Sequence, residues 1–211
     1  MCSPQLILAS ASPRRRELLE AAGYAFQVVS PREGAEPEGA CSACGPAQLV
    51  VDLAVAKLRD VLDQLRLKGA QADPRPTTLV LAADTVAECG GQVLGKPRNE
   101  DHAVAMMRML SGTEHRVYTG VALATLTSRG QPYAEAVITT LRMNDLSEAW
   151  IANYAESGAW EGKAGGFGYQ DGLGFVHVVA GSESNVVGLP MERVAELLAD
   201  RGVHPSLKST L

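Results

Sequence analysis

The chain has 211 residues, 46% hydrophobic and 20% charged, with a formal net charge of −5. That describes a globular protein long enough to bury roughly 70% of its unfolded surface without staples. It excludes a disulfide scaffold (four cysteines are too sparse), a membrane span (no sufficiently long apolar run) and a general nucleic-acid binder (acidic balance). An anionic ligand would therefore need a local cluster of basic residues. The amino terminus lacks the basic and long apolar regions of a signal peptide, so a reducing cytoplasm is the expected compartment. One domain over 1–211 is expected, with a core at about 5–200 and a short tail, 203–211.

Leu6-Ile-Leu-Ala9 reads as a buried strand. Ser12 is a good N-cap and Pro13 suits the first helical position, so a helix follows and stops at Gly23. Phe26–Val29 reads as a second strand, and residues 30–46, rich in Gly, Pro, Ala and Glu, as an exposed loop. A long helix is predicted from Ala47 to about Lys68, with Val50, Ala54, Val61 and Leu65 on one face. Leu79–Ala83 is the most apolar strand and ends at Asp84; a hairpin follows, Val86–Glu88, Gly90-Gly91, Val93-Leu94. Asn99 caps a helix bearing Ala103, Met106, Met107 and Leu110. Two β-rich stretches, about 115–127 and 133–143, precede a helix over Ser147–Glu156. A glycine-rich passage (Gly162–Gly174), a strand (Phe175–Val179) and a helix opened by Pro190 complete the chain. Helices alternating with strands, then adjacent strands, predict a mixed α/β sheet.

Several residues carry chemistry on this frame. Ser10-Ala-Ser-Pro-Arg14-Arg15-Arg16 joins a strand to a helix N-terminus, where amides, hydroxyls and guanidinium forks suit phosphate oxygens; it also reads as a capped helix with a solvated basic turn. Asp84, at a strand end, suits a general base or metal ligand, or simply starts a turn. Gly90–Pro97 nearly matches a Walker A loop, but Pro97 replaces its Ser/Thr and brings neither hydroxyl nor N–H, so that reading fails. Lys96 remains a phosphate or base contact. Lys57 lies on the apolar stripe of the long helix, either snorkelling or reaching a buried anion. Gln170 follows glycines 165, 166 and 168 and has the donor and acceptor to read a base edge. Cys41-Ser-Ala-Cys44 lacks a second pair or His for zinc, so its cysteines read as free thiols.

Together these pieces resemble the Maf family of nucleoside triphosphate pyrophosphatases. The resemblance rests on Leu8-Ala-Ser-Ala-Ser-Pro-Arg-Arg-Arg-Glu-Leu-Leu19, Ala82-Ala-Asp-Thr-Val86, Gly95-Lys-Pro97, Leu110-Ser-Gly-x-x-His115, Lys163-Ala-Gly165 with Gln170, and Gly181-Ser…Asn185-Val-Val-Gly-Leu-Pro190. It implies a Maf-type, inosine triphosphate pyrophosphatase-like fold: a mixed twisted sheet flanked by helices, with a ligand cleft. It implies hydrolysis of a nucleoside triphosphate to monophosphate and pyrophosphate, with Asp84 as proton acceptor and Ser10, Arg14, Arg15, Lys57 and Lys96 on the substrate. Arg14, Thr85 and Gln170 match the branch that cleaves dTTP and UTP. A Mg²⁺ or Mn²⁺ ion is implied, ligated by Asp84 and by either Glu33 or Glu36, which compete for one acidic position. A homodimer is implied as well, with no nucleic-acid polymer and no membrane as partner. Alternatives are a non-catalytic nucleotide-binding regulator of septum formation and a pyrophosphatase for ITP or 7-methyl-GTP.

Overall fold

The computed structural model describes residues 4–35, 44–69, 77–172 and 174–206. Its strands are β1 (Gln5–Ala9), β2 (Gln27–Val28), β3 (Thr78–Cys89), β4 (Gln92–Leu94), β5 (Glu114–Thr125), β6 (Tyr133–Met143) and β7 (Val176–Ala180). Its helices are α1 (Pro13–Ala21), α2 (Pro46–Leu67), α3 (Glu100–Leu110), α4 (Glu148–Glu156), α5 (Glu183–Val187) and α6 (Met191–Ala199). The strands form one mixed sheet in the order β2-β1-β3-β5-β6-β7, with β4 also on β3. β1 runs parallel to β2 and β3; the other pairings are antiparallel.

The central strand departs from the sequence expectation. β3 does not stop at Ala83 but passes through Asp84 and Thr85, pairing with β5 over ten consecutive positions, from Leu79↔Thr125 to Glu88↔Arg116. The backbone ladder is indifferent to the polarity of one side chain, provided that side chain finds a partner. On its other edge β3 is shared. β1 pairs with it from Thr78 to Ala82, and β4 from Ala87 to Cys89. Among the described residues, positions 83–86 have no strand on that side, and this gap opens the sheet where the chemistry-bearing residues lie.

Side chains alternate across β3. Val80, Ala82 and Val86 face α2 and pack on Ala54, Leu58, Leu49 and Val50. Leu79, Leu81 and Ala83 face the opposite layer, where Leu19 of α1 and Val194, Leu197 and Leu198 of α6 are buried. Each buried Leu or Val among them contributes about 1.5–3 kcal/mol on burial. Val203 joins that core and the Ser206 amide donates to the Gly23 carbonyl at 2.8 Å, so the predicted tail is docked as far as Ser206. At Gly120 of β5, opposite Asp84, a Cβ would collide with the Val50 backbone, so α2 sits directly on the sheet there.

Asn99 caps α3 as predicted, accepting from the His102 amide at 2.9 Å. Ser12 holds the N-cap position of α1, but its side chain makes no capping bond; its own amide donates instead to Ser10 Oγ at 3.2 Å. Cys44 is disulfide-bonded, which corrects the free-thiol expectation at that position, whereas Cys89 is a buried free thiol. Glu36 and Cys41 lie outside the described residues. Among those residues no helix is long and apolar enough to cross a membrane.

Candidate active site

A cleft of about 900 Å³ opens at the gap beside β3. Ser10, Arg14, Arg15, Glu33, Lys57, Asp84, Thr85, Lys96 and Gln170 all line it, although they come from segments far apart in the chain. It lies within the size range of small-molecule and cofactor sites.

Asp84 faces α2, where Lys57 forms an ion pair with its carboxylate. The two side chains retain 15% and 13% of their exposure, so they pair in a setting much drier than the surface. The tight seat of α2 on Gly120 sets this encounter. Lys57 thus takes the buried-anion alternative of its position on the helix.

Thr85 points to the opposite face. Its hydroxyl accepts from Arg15 Nη2 at 3.1 Å and lies 2.9 Å from the Thr119 hydroxyl. Arg15 also donates to Ser10 Oγ at 3.3 Å and to the Gly188 carbonyl at 2.7 Å. Arg14 donates to the Gly162 carbonyl at 3.1 Å, joining α1 to the start of the glycine-rich passage.

That passage folds into two short 3-10 turns, Ala164–Gly166 and Tyr169–Asp171. Gly165 has φ +70°, a conformation that favours glycine, and its amide donates to the Gly95 carbonyl at 2.9 Å. The bond ties the passage to the turn carrying exposed Lys96. An ion pair between Lys163 and Asp171 and a 2.8 Å bond from the Tyr169 hydroxyl to Glu183 hold the second turn. Gln170 sits in it, exposed at the rim.

Glu33 lies in a loop clamped to α2. The Arg32 amide and guanidinium donate to Asp60 at 2.9 and 2.6 Å, and Gln64 reaches the Ser30 carbonyl at 3.1 Å. Burial works to raise the Asp60 carboxyl, but hydrogen bonds from Arg32 and Gln64 outweigh it and hold it below its ordinary value.

Thr119 and Asn185, both fully buried, carry no chemical signal in the sequence, yet Thr119 stands directly behind Thr85 and Asn185 behind Thr119. Asn185 lies in the Gly181–Pro190 segment that resembles the Maf family, which is the signal that could have found it.

The Maf-like protein family matches residues 5–201. The dTTP/UTP pyrophosphatase of Rhodopirellula baltica is 48% identical over 195 residues, covering 92% of this chain and 80% of that protein. The protein of the same name from Chelativorans sp. is 42% identical, over 94% of this chain and 91% of its own. That from Thermococcus kodakarensis is 38% identical, over 91% and 94%. Among solved structures, the nucleoside-triphosphatase / dITP/XTP pyrophosphatase of Mycobacterium abscessus is similar at TM-score 0.41 and 16% identity, over 94% of each chain. The motifs that meet at the cleft and a match running through nearly the whole chain lead to one assignment: the chain belongs to the Maf family.

Proposed function

We propose that the protein hydrolyses dTTP and UTP to the monophosphate and pyrophosphate. The observation that carries this reading is the meeting, in one cleft, of a carboxylate on the central strand with four cationic side chains: Arg14, Arg15, Lys57 and Lys96. The names borne by the relatives above support the choice of substrate.

A triphosphate entering the cleft brings several negative charges, which the overall charge of −5 repels and the local cations offset. Arg14 and Arg15 present planar forks matched to phosphate oxygens, and Lys57 and Lys96 act as compact point charges. Lys57 exchanges Asp84 for a phosphate oxygen as the substrate seats, which frees the carboxylate. Water then attacks the α-phosphorus, the bond from that phosphorus to the bridging oxygen breaks, and pyrophosphate leaves with the electron pair. Asp84 accepts the proton of the attacking water. Gln170 meets the base edge at the rim, where an unpaired polar group on a wrong base would be penalised.

A divalent cation is part of this proposal, although no group of three or more ligating side chains occurs among the described residues, so the substrate phosphates would complete its shell. Asp84 and Glu33 both line the cleft, and Mg²⁺ is commonly held by one or two carboxylates together with substrate phosphates. When bound, it would neutralise charge on the phosphate oxygens. The resemblance also implies a homodimer, which sedimentation of the purified chain would test.

A panel of nucleoside triphosphates, including ITP and 7-methyl-GTP, tests the reading by pyrophosphate release with and without Mg²⁺ or Mn²⁺. Preference for dTTP and UTP is expected. Nucleotide binding without pyrophosphate release would leave a binding regulator instead.

A further inference from the structure

We infer that Thr119 and Asn185, neither of which lines the cleft, are positioning residues that set the guanidinium of Arg15 through Thr85. The inference rests on the reading of Arg15 as a substrate contact.

The hydrogen bonds assign their own direction. Thr119 Oγ1 donates to the Asn185 carbonyl at 3.1 Å, so its proton is committed. Across the 2.9 Å contact it must then accept from Thr85. Thr85 in turn accepts from Arg15 Nη2 at 3.1 Å. The chain therefore runs one way, from the guanidinium through two hydroxyls to a backbone carbonyl. Aligned bonds of this kind strengthen one another in a low-dielectric interior.

The far end of the chain is fixed. Asn185 Nδ2 donates to the carbonyls of Val117 and Val137, each at 3.3 Å, and to Thr139 Oγ1 at 3.0 Å. Those bonds pin α5 to β5 and β6. The residue after α5, Gly188, gives its carbonyl to Arg15 Nε at 2.7 Å. Its φ is +126°, and a Cβ there would lie 3.5 Å from Arg15 Nε and 3.6 Å from Thr85 Oγ1. The α5 segment is thus a bracket with two holds on Arg15: one direct through Gly188, one relayed through Thr119 and Thr85. On this account Thr85 influences substrate choice by aiming Arg15.

The test is a double-mutant cycle on KM. Thr119→Val keeps shape and removes the hydroxyl, leaving the Thr85 proton without its acceptor. It is expected to raise KM for dTTP about tenfold while kcat changes less than about threefold. Thr119→Ser, which keeps the hydroxyl, restores KM. In an Arg15→Ala background Thr119→Val adds nothing further, because the interaction it served is gone. A purely structural role would lower thermal stability equally in both backgrounds and leave KM unmoved. An unchanged KM in Thr119→Val, or the same rise with and without Arg15, overturns the inference. If Thr119→Val does not fold, Thr85→Val against Thr85→Ser makes the comparison one bond nearer Arg15. Measuring Kd for the non-hydrolysable α,β-imido analogue of dUTP across the same variants judges the relay separately from turnover. Pyrophosphate release by the wild type judges the pyrophosphatase reading on its own.

Discussion

Gly120→Ala is the perturbation whose consequence follows most directly from the packing. A methyl group at this position would fall well inside contact distance of the Val50 carbonyl, with the Val51 amide nitrogen only 2.7 Å away. Both neighbours are backbone of α2, so no rotamer change relieves the overlap. The helix must lift by about 1 Å, and overpacking of this kind costs about 1–3 kcal/mol. For a chain of this size each kcal/mol lowers Tm by about 2–4 °C, so a fall of about 2–12 °C is expected. Lys57 lies two turns further along α2, and Asp84 pairs across the ladder with Gly120 itself, so the lift acts directly on their ion pair. Misplacement by about 1 Å can cost about 100-fold in rate, and kcat/KM should fall by up to that factor. Differential scanning fluorimetry and steady-state pyrophosphate release read the two effects. Gly130→Ala is the control, since a Cβ there meets nothing nearer than Ser128 Oγ at 3.9 Å. A Gly120→Ala protein with wild-type Tm and kcat/KM would refute the claim that α2 is seated through Gly120.

Replacing Asp84 by Asn should lower kcat by about 100- to 10,000-fold, the usual worth of a general base, while calorimetry shows nucleotide binding retained. Replacing Gln170 by Glu turns a donor–acceptor pair into an acceptor alone. The preference for dTTP and UTP should narrow, and an unchanged profile across the triphosphate panel would remove Gln170 from base reading. Burial holds the imidazole of His115 down to about 4, against 6.5 when unperturbed. As pH falls between those values the unfolded chain takes up the proton first, so about 3 kcal/mol of stability present above pH 6.5 is lost by pH 4. Urea midpoints across that window should show the loss in wild type and a shallower slope in His115→Leu; identical slopes would contradict it.

The sequence made some parts of this molecule legible and hid others for physical reasons. Helical periodicity at Val50, Ala54, Val61 and Leu65 marks the inward face of α2; the first three are fully buried and Leu65 partly so. The same stripe placed Lys57 inward but could not name its partner, because Asp84 approaches across a strand 27 residues away. Polarity at Asp84 and Thr85 masked the continuity of β3, whose ladder is made by backbone atoms. The α5 segment, Glu183–Val187, is too short to display a helical period in the sequence. Thr119 gave no signal at all: a hydroxyl in a β-rich stretch is ordinary until three-dimensional pairing puts it behind Thr85. Ser12 illustrates a finer limit. Residue type indicated the capping position, but the Ser12 side chain makes no capping bond there.

The central claim is that this cleft directs water to the α-phosphorus of a pyrimidine nucleoside triphosphate. Turnover of dTTP in heavy-oxygen water, with mass spectrometry of both products, tests it most directly. The account predicts one labelled oxygen in the monophosphate and none in pyrophosphate, with the labelled monophosphate formed about 100- to 10,000-fold more slowly by Asp84→Asn. Label in pyrophosphate, or release of inorganic phosphate in its place, would contradict it.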